Sequence, residues 1–258
     1  MNATAPVLAC RGLALAVPGR TLCRDVAFEV RAGECWVVVG PNGAGKTTLL
    51  LTLAGLRAPA AGVVELGGAP IASFAPRQRA QRLGLLPQDT IDAFPATALE
   101  IVLGGRHPHV APWRAESAAD IAAARGALAA VGMQDAAARD VQTLSGGERR
   151  RVAIAMLLAQ DPPVMLLDEP ANHLDIAHEV RTFELLARLA RERGRAVFMA
   201  VHDLTLAARY ATHAVLLGCD KVEAGPAAQL LEAGRLSLLY GQPLIAVAHP
   251  RGPAFLPA

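Results

Sequence analysis

Cys35-Trp36-Val37-Val38-Val39-Gly40-Pro41-Asn42-Gly43-Ala44-Gly45-Lys46-Thr47-Thr48 is the stretch from which the rest of the chain can be read. A short apolar strand ends at Gly40. A glycine-rich loop follows, and a helical pattern then places Leu49, Leu50, Leu53 and Ala54 on one face. Gly55 is a suitable stop for that helix. The spacing Gly-x-x-x-x-Gly-Lys-Ser/Thr between a strand and a helix is that of a phosphate-binding loop. Its glycines let backbone N–H groups wrap phosphates, and the helix N-terminus adds its positive end. In such a loop Lys46 reaches the β- and γ-phosphates and Thr47 holds Mg2+. The competing reading, an ordinary glycine turn opening a helix, is set aside because both flanking elements are in place.

Further along, Val164-Met165-Leu166-Leu167-Asp168-Glu169 is an apolar strand that ends in two acids. Asp168, at the strand's edge, suits Mg2+ directly or through water. Glu169 beside it can orient or polarise an attacking water. Acids after a buried strand are often no more than a solvated turn, but behind a phosphate loop they gain meaning.

The bulk properties narrow the class. At 258 residues, 53% hydrophobic and 19% charged, the chain makes a well-cored globular domain with room for a sub-domain. A net charge of +2 gives no reason to propose nucleic acid or a membrane surface as partner. Cys10, Cys23, Cys35 and Cys219 are scattered singly, without metal-ligand spacing, as in a reducing compartment. Met1 to Cys10 does not read as a signal peptide, and no apolar run approaches the length of a spanning helix.

The pattern predicts an α/β fold. Residues 7–30, broken at Pro18-Gly19, read as two short antiparallel strands. Val63 to Leu66 and Leu83 to Leu86 read as further strands. Val164 to Leu167 and Ala196 to Val201 are apolar on both faces, as buried parallel strands are. A helix from about Ile176 to Arg193 lies between them, and Val215 to Leu217 with 221–224 closes the sheet. From Asp89 to Gln160 the chain is alanine-rich, and Ile121, Leu128 and Val131 recur at helical spacing. This stretch reads as an inserted helical sub-domain. The division is then a core at about 1–88 and 161–243, helices at about 89–160, and an irregular proline-bearing arm over 244–258.

Leu144-Ser145-Gly146-Gly147-Glu148 lies about a hundred residues after the phosphate loop, on a different helix start. Its serine and glycines make chemical sense if a second copy presents them to the first copy's ATP. With this string the chain resembles the ATP-binding subunits of ABC transporters over nearly its full length. The resemblance makes Gly40 to Thr48 the Walker A loop, Val164 to Asp168 Walker B, and Leu144 to Glu148 the signature. Gln88 fits the Q-loop that senses Mg2+ and the membrane partner, and Glu169 fits the catalytic glutamate. Asp175, in Asn172-His173-Leu174-Asp175, fits the D-loop, and His202 fits the switch histidine at the γ-phosphate. It implies a P-loop ATPase core with a mixed sheet, an N-terminal antiparallel β-subdomain and an inserted α-helical subdomain.

The chain departs from that family in places. Val17 stands where many relatives stack an aromatic ring on adenine, which removes about 1 kcal/mol of stacking. Glu148 ends the signature where glutamine is also common. Asn172-His173 replaces small residues in the D-loop. His107, His109, His173, His178, His213 and His249 are expected at the surface or in packing. Arg149-Arg150-Arg151 is too short for a nucleic-acid patch and is expected on a solvated face.

The resemblance further implies a chain that powers membrane subunits it does not itself contain. Ala96 to Val102 leading into Gly105-Arg106-His107-Pro108-His109, then Ile154 to Gln160 with Met156, then Leu174 to His178, are similar to importers of iron-siderophores, haem and cobalamin. Molybdate and other metal-chelate importers share parts of this pattern. An alternative of another class is a soluble ATP-dependent regulatory protein with no permease. The expected partners are a second copy in an ATP sandwich, two permease subunits and an external substrate-binding protein, with no nucleic acid. The chain is then peripheral on the cytoplasmic face of the membrane. Phe94 to Trp113 falls where the family receives the permease's coupling helix. Packing of the helical sub-domain is the competing role for Trp113.

Overall fold

Five consecutive fully buried residues, Cys35–Val39, form the strand at the heart of the molecule. Trp36 and Val38 point to one face and Val37 and Val39 to the other, and each face meets its own apolar cluster. Side chains alternate along a strand, so burial on both faces requires an unbroken apolar run. The structure, a computed structural model, describes residues 5–88, 95–111, 113–218 and 221–258. Asp89 to Phe94, with which the expected helical sub-domain begins, and Cys219 lie outside the described residues.

In chain order the elements begin with β1 (Leu8–Val17), β2 (Arg20–Val30), β3 (Cys35–Val39), α1 (Lys46–Leu53), β4 (Ala61–Leu66) and β5 (Ala69–Pro70). Next come α2 (Pro76–Ala80), β6 (Leu83–Leu86), α3 (Ala98–Leu103), α4 (Ala118–Ala130), α5 (Gly146–Gln160) and β7 (Val164–Asp168). The chain continues with α6 (Ile176–Arg193), β8 (Ala196–Ala200), α7 (Leu204–Tyr210), β9 (His213–Leu217) and β10 (Val222–Pro226). It closes with α8 (Ala227–Leu230), α9 (Ala233–Tyr240), β11 (Leu244–Val247) and β12 (Ala254–Pro257).

The main sheet runs β10-β9-β3-β8-β7-β6. Its inner strands are parallel, and β10 pairs antiparallel at one edge. The fold is therefore α/β with a mixed sheet. The strands β3, β6, β7 and β8 all end on the same side, which is where ligands bind in open parallel sheets. A second, antiparallel sheet, β2-β1-β4-β5, covers one face. Its first two strands are longer than the short pair expected, with register shifts at Cys10, Leu13 and Leu15 letting β1 bend. Stacked rings join the two sheets: Phe28 lies 5.3 Å from Trp36 and 5.5 Å from Phe198, and His213 stacks on Trp36 at 4.6 Å.

The helices α3, α4 and α5 build a separate apolar cluster around Val102, Leu128, Val152 and Ala155. Ile121, whose spacing with Leu128 and Val131 suggested one apolar face, is exposed on α4. Thr97, Ser117 and Ser145 begin these three helices, and each forms a capping box with an acid three residues on. The segment Gly104 to His109 packs on α5. A Cβ on Gly105 would collide with the Met156 carbonyl, and His109 Nε2 lies 2.8 Å from the Gln160 carbonyl. Two of the importer-like stretches thus form one contact.

The terminal segment is not irregular. β11 and β12 form a hairpin, with Leu244 opposite Pro257 and Val247 opposite Ala254. Pro250 stands in the turn, Pro253 just before β12 and Pro257 at its last residue, so no proline interrupts the hairpin's interior ladder. Phe255 packs against the core, and its N–H donates to Thr205 Oγ1 at 3.3 Å. Trp113 is fully exposed at φ 65°, which removes the packing role. Cys10 and Cys35 are buried thiols pushed up to about 12 by that burial, so they stay protonated and inert. No helix among the described residues is long and apolar enough to cross a membrane.

Candidate active site

The loop after β3 is shaped by what its glycines allow. Gly43 and Gly45 hold φ 76° and 105°, backbone that side chains disfavour. A Cβ on Gly40 would run into the Leu217 carbonyl of β9. Lys46 is almost fully buried and turns back on the loop, donating to the Gly40 carbonyl at 2.8 Å and to Pro41 at 3.4 Å. Burial lowers its pKa, and Glu169 and Asp168 work against that shift. The loop opens on a cavity of about 580 Å3, lined by Asn42, Gly43, Gly45, Lys46, Thr47 and Thr48. Gln88, Glu169, His202 and Val17 line it too. Gly40 and Ala44 of the loop are buried, and Pro41 is half-buried.

Asp168 ends β7 beneath this cavity. It is 2% exposed, and burial raises its pKa although the Thr47 hydroxyl hydrogen-bonds it. Its Oδ1 has no hydrogen-bond partner. A buried, partnerless carboxylate oxygen is costly unless something positive meets it. A hard divalent cation suits that oxygen and the Thr47 hydroxyl, since such ions prefer oxygen ligands.

Glu169 follows in left-handed backbone at φ 49°, its N–H donating to the Ala200 carbonyl at 3.0 Å. The twist turns its side chain toward the loop's cavity, where two partners hold the carboxylate. His202 Nε2 lies 2.7 Å from Oε1, and Gln88 Nε2 donates to Oε2 at 3.2 Å. Gln88 follows β6 and His202 follows β8, so three adjacent strand ends deliver one polar cluster.

The signature lies elsewhere. Ser145 to Glu148 line a second hollow of about 490 Å3 with Arg151, His173, Leu174, Asp175 and His178. It shares no lining residue with the loop cavity. Leu144 is buried in the helical cluster. Glu148 Oε2 accepts from the Ser145 N–H at 2.8 Å, Ser145 Oγ accepts from the Glu148 N–H at 3.2 Å, and Arg139 pairs with Glu148 at 2.9 Å. These bonds, led by those to Ser145, hold the Glu148 pKa down. A Cβ on Gly147 would come within 3.0 Å of the His173 carbonyl. Asp175 caps α6 and binds His178 Nδ1 at 2.9 Å, a pairing the sequence did not announce.

Three residues escaped the sequence reading. Arg20 and Leu22 of β2 line the loop cavity, and register with Val17 across the β1–β2 hairpin was the only available hint for Arg20. Arg150 is not on a solvated face. It is 2% exposed, with its guanidinium buried among backbone carbonyls. Helical phase was the signal: Ile154, four residues later, is buried too.

The chain is similar over most of its length to known proteins. The chain is 45% identical over 234 residues to a hemin import ATP-binding protein of Nocardia farcinica, covering 90% of this chain and 80% of that one. It is 39% identical over 234 residues to a ferric enterobactin transport ATP-binding protein of Escherichia coli K12, covering 89% and 85%. A solved structure of an inward-facing ABC transporter of metal-chelate type superposes with TM-score 0.86 at 26% identity, covering 98% of both chains. The ABC transporter family profile matches residues 23–172, and the chain belongs to that family.

Proposed function

We propose that this chain is the ATP-hydrolysing subunit of an importer for an iron chelate (a siderophore or haem) or cobalamin. Two copies bind two ATP molecules between them. Each site draws Gly40 to Thr48, Asp168, Glu169, Gln88 and His202 from one copy, and Ser145 to Gly147 from the other. The separation of the two hollows supports this, because the signature residues line no part of their own chain's loop cavity. Asp175 at the start of α6 faces the partner.

Thr47, Asp168 and Gln88 are the residues that would hold Mg2+, and the partnerless Asp168 Oδ1 supports that set. Bound there, the ion would supply charge neutralisation at the β- and γ-oxygens. The loop's N–H groups and Lys46 orient the phosphates, Glu169 orients water as its base, and His202 fixes the Glu169 carboxylate. Val17 gives the base an apolar contact. ATP favours the closed dimer, and its loss favours the open one. The helices α3, α4 and α5 move with the signature and face the permease, with the exposed Trp113 in that contact. The permease receives its cargo from an external substrate-binding protein. The chain sits at the cytoplasmic face of the membrane.

The carboxylate of Glu169 held between His202 and Gln88 carries this reading. In Glu169→Gln, steady-state hydrolysis is abolished while ATP binding and a stable dimer remain. Hydrolysis at the normal rate by that variant would sink the assignment. Uptake of labelled haem, ferric siderophores and cobalamin in a strain lacking this subunit identifies the cargo. Unchanged uptake of all three would reject the substrate class.

A further inference from the structure

Arg150 stands on α5, five residues after Ser145, and its side chain reaches into the ATPase core. Nη1 donates to the carbonyls of Pro87 at 2.7 Å and Gln88 at 3.0 Å. Nη2 donates to those of Asp168 at 2.5 Å and Glu169 at 2.7 Å, and Nε to that of Pro170 at 3.3 Å. A guanidinium has five N–H groups in a fixed planar fork, and here they meet five carbonyls.

The position of those carbonyls matters more than their number. The β6–β7 ladder ends with Leu86 opposite Leu167. Beyond that pair the two strands part, one toward Gln88 and the other toward Glu169. Arg150 bridges the gap and fixes the main chain of both residues. Their side chains then meet each other, Gln88 Nε2 to Glu169 Oε2. Glu169 needs such a hold, because its backbone is in a region that non-glycine residues rarely occupy. The donor belongs to the helix whose first turn is the signature, and a rigid secondary element of this kind can carry coupling between sites.

We propose that Arg150 is a positioning residue for hydrolysis. It sets the geometry of the Gln88–Glu169 pair and ties that geometry to the seating of α5. The helix that completes the partner's ATP site thereby adjusts the hydrolytic carboxylate of its own. This deepens the function proposed above and rests on Glu169 acting as the base. Lysine keeps the charge but presents a point cation without the planar fork, so Arg150→Lys holds the carbonyls only in part.

The test measures kcat and KM for ATP, with thermal melting, for Arg150→Met and Arg150→Lys in the full chain. The expected result is a kcat lowered about tenfold or more in Arg150→Met and less in Arg150→Lys, with KM within about twofold. Single-turnover hydrolysis completes a double-mutant cycle with Glu169→Gln. The loss from Arg150→Met should shrink toward nothing once Glu169 is already replaced, because groups acting through one another are not additive. Wild-type kcat with a lowered melting temperature would reduce Arg150 to a structural role and overturn the inference, as would fully multiplicative losses in the cycle. If Arg150→Met does not fold, Arg150→Lys decides: a wild-type kcat there overturns it as well. Normal hydrolysis by Glu169→Gln would instead remove the base assignment itself. An inactive Glu169→Gln beside a fully active Arg150→Met would remove only the role of Arg150.

Discussion

Replacing Gly45 by alanine tests the phosphate loop most directly. Gly45 sits at φ 105° immediately before α1, and an added methyl would lie 2.9 Å from Leu22 Cδ1. Two separate costs follow. Backbone held in such a region costs a non-glycine residue about 1–3 kcal/mol. The contact adds a smaller term, because Leu22 Cδ1 must swing aside from the new methyl, and Leu22 also borders the open loop cavity. The loop escapes by leaving the conformation in which its N–H groups converge. A penalty of about 2 kcal/mol reduces the competent population roughly thirtyfold and raises the apparent Kd for ATP by the same factor. Gly43→Ala separates the two costs. Gly43 has φ 76° but nothing within 4 Å of a new Cβ, so it carries only the backbone term. Titration with a fluorescent ATP analogue, with melting curves as a folding control, should therefore order affinity as wild type, then Gly43→Ala, then Gly45→Ala. Both variants binding within about threefold of wild type would refute the link between loop backbone and phosphate affinity.

Three further outcomes follow from the site. His202→Ala should lower kcat about a hundredfold with little change in KM, since His202 holds the carboxylate at 2.7 Å and no part of the loop; steady-state kinetics showing only a KM change would contradict this. Asp168→Asn removes a buried partnerless oxygen's charge, so the nucleotide-free protein should gain about 1 kcal/mol in urea unfolding while losing Mg2+-dependent hydrolysis; a loss of stability would count against that reading. The Asp120 pKa falls from 3.8 to about 2, first through its bond with Ser117 and then through Arg106. A depressed carboxylate stabilises the fold above its unfolded pKa and releases that stability as pH falls through its folded pKa. The stability gap between wild type and Asp120→Asn should thus close between about pH 4 and pH 2, and a gap constant across that window would exclude the linkage.

How much the sequence disclosed depended on how local each feature is. Gly40 to Thr47 and Asp168-Glu169 are contiguous, and their chemistry follows from neighbouring residues in the chain. The buried strands were legible because a sheet covered on both faces leaves no polar alternation. The closing hairpin was not, because prolines at 250, 253 and 257 suggest broken structure until their places in the register are known. Arg150 was misread for a different reason. Three adjacent arginines look like a charged surface, yet a helix turns about 100° per residue and sends neighbours in different directions. Only the parting of β6 from β7 creates the cluster of carbonyls that one of them fills. The His178 bond to Asp175 likewise needed the cap of α6 to bring the two side chains together.

The stacked rings beneath the phosphate loop make the protein its own optical instrument. The chain has two tryptophans, and their surroundings are opposites. Trp36 is shielded between Phe28, Phe198 and His213, four residues before Gly40, whereas Trp113 stands wholly in solvent. A water-borne quencher will darken the second and spare the first. Emission from Trp36 then reports on the strand that leads into the loop, and a loss of quenching at Trp113 would register the proposed permease contact, in one sample without any added dye.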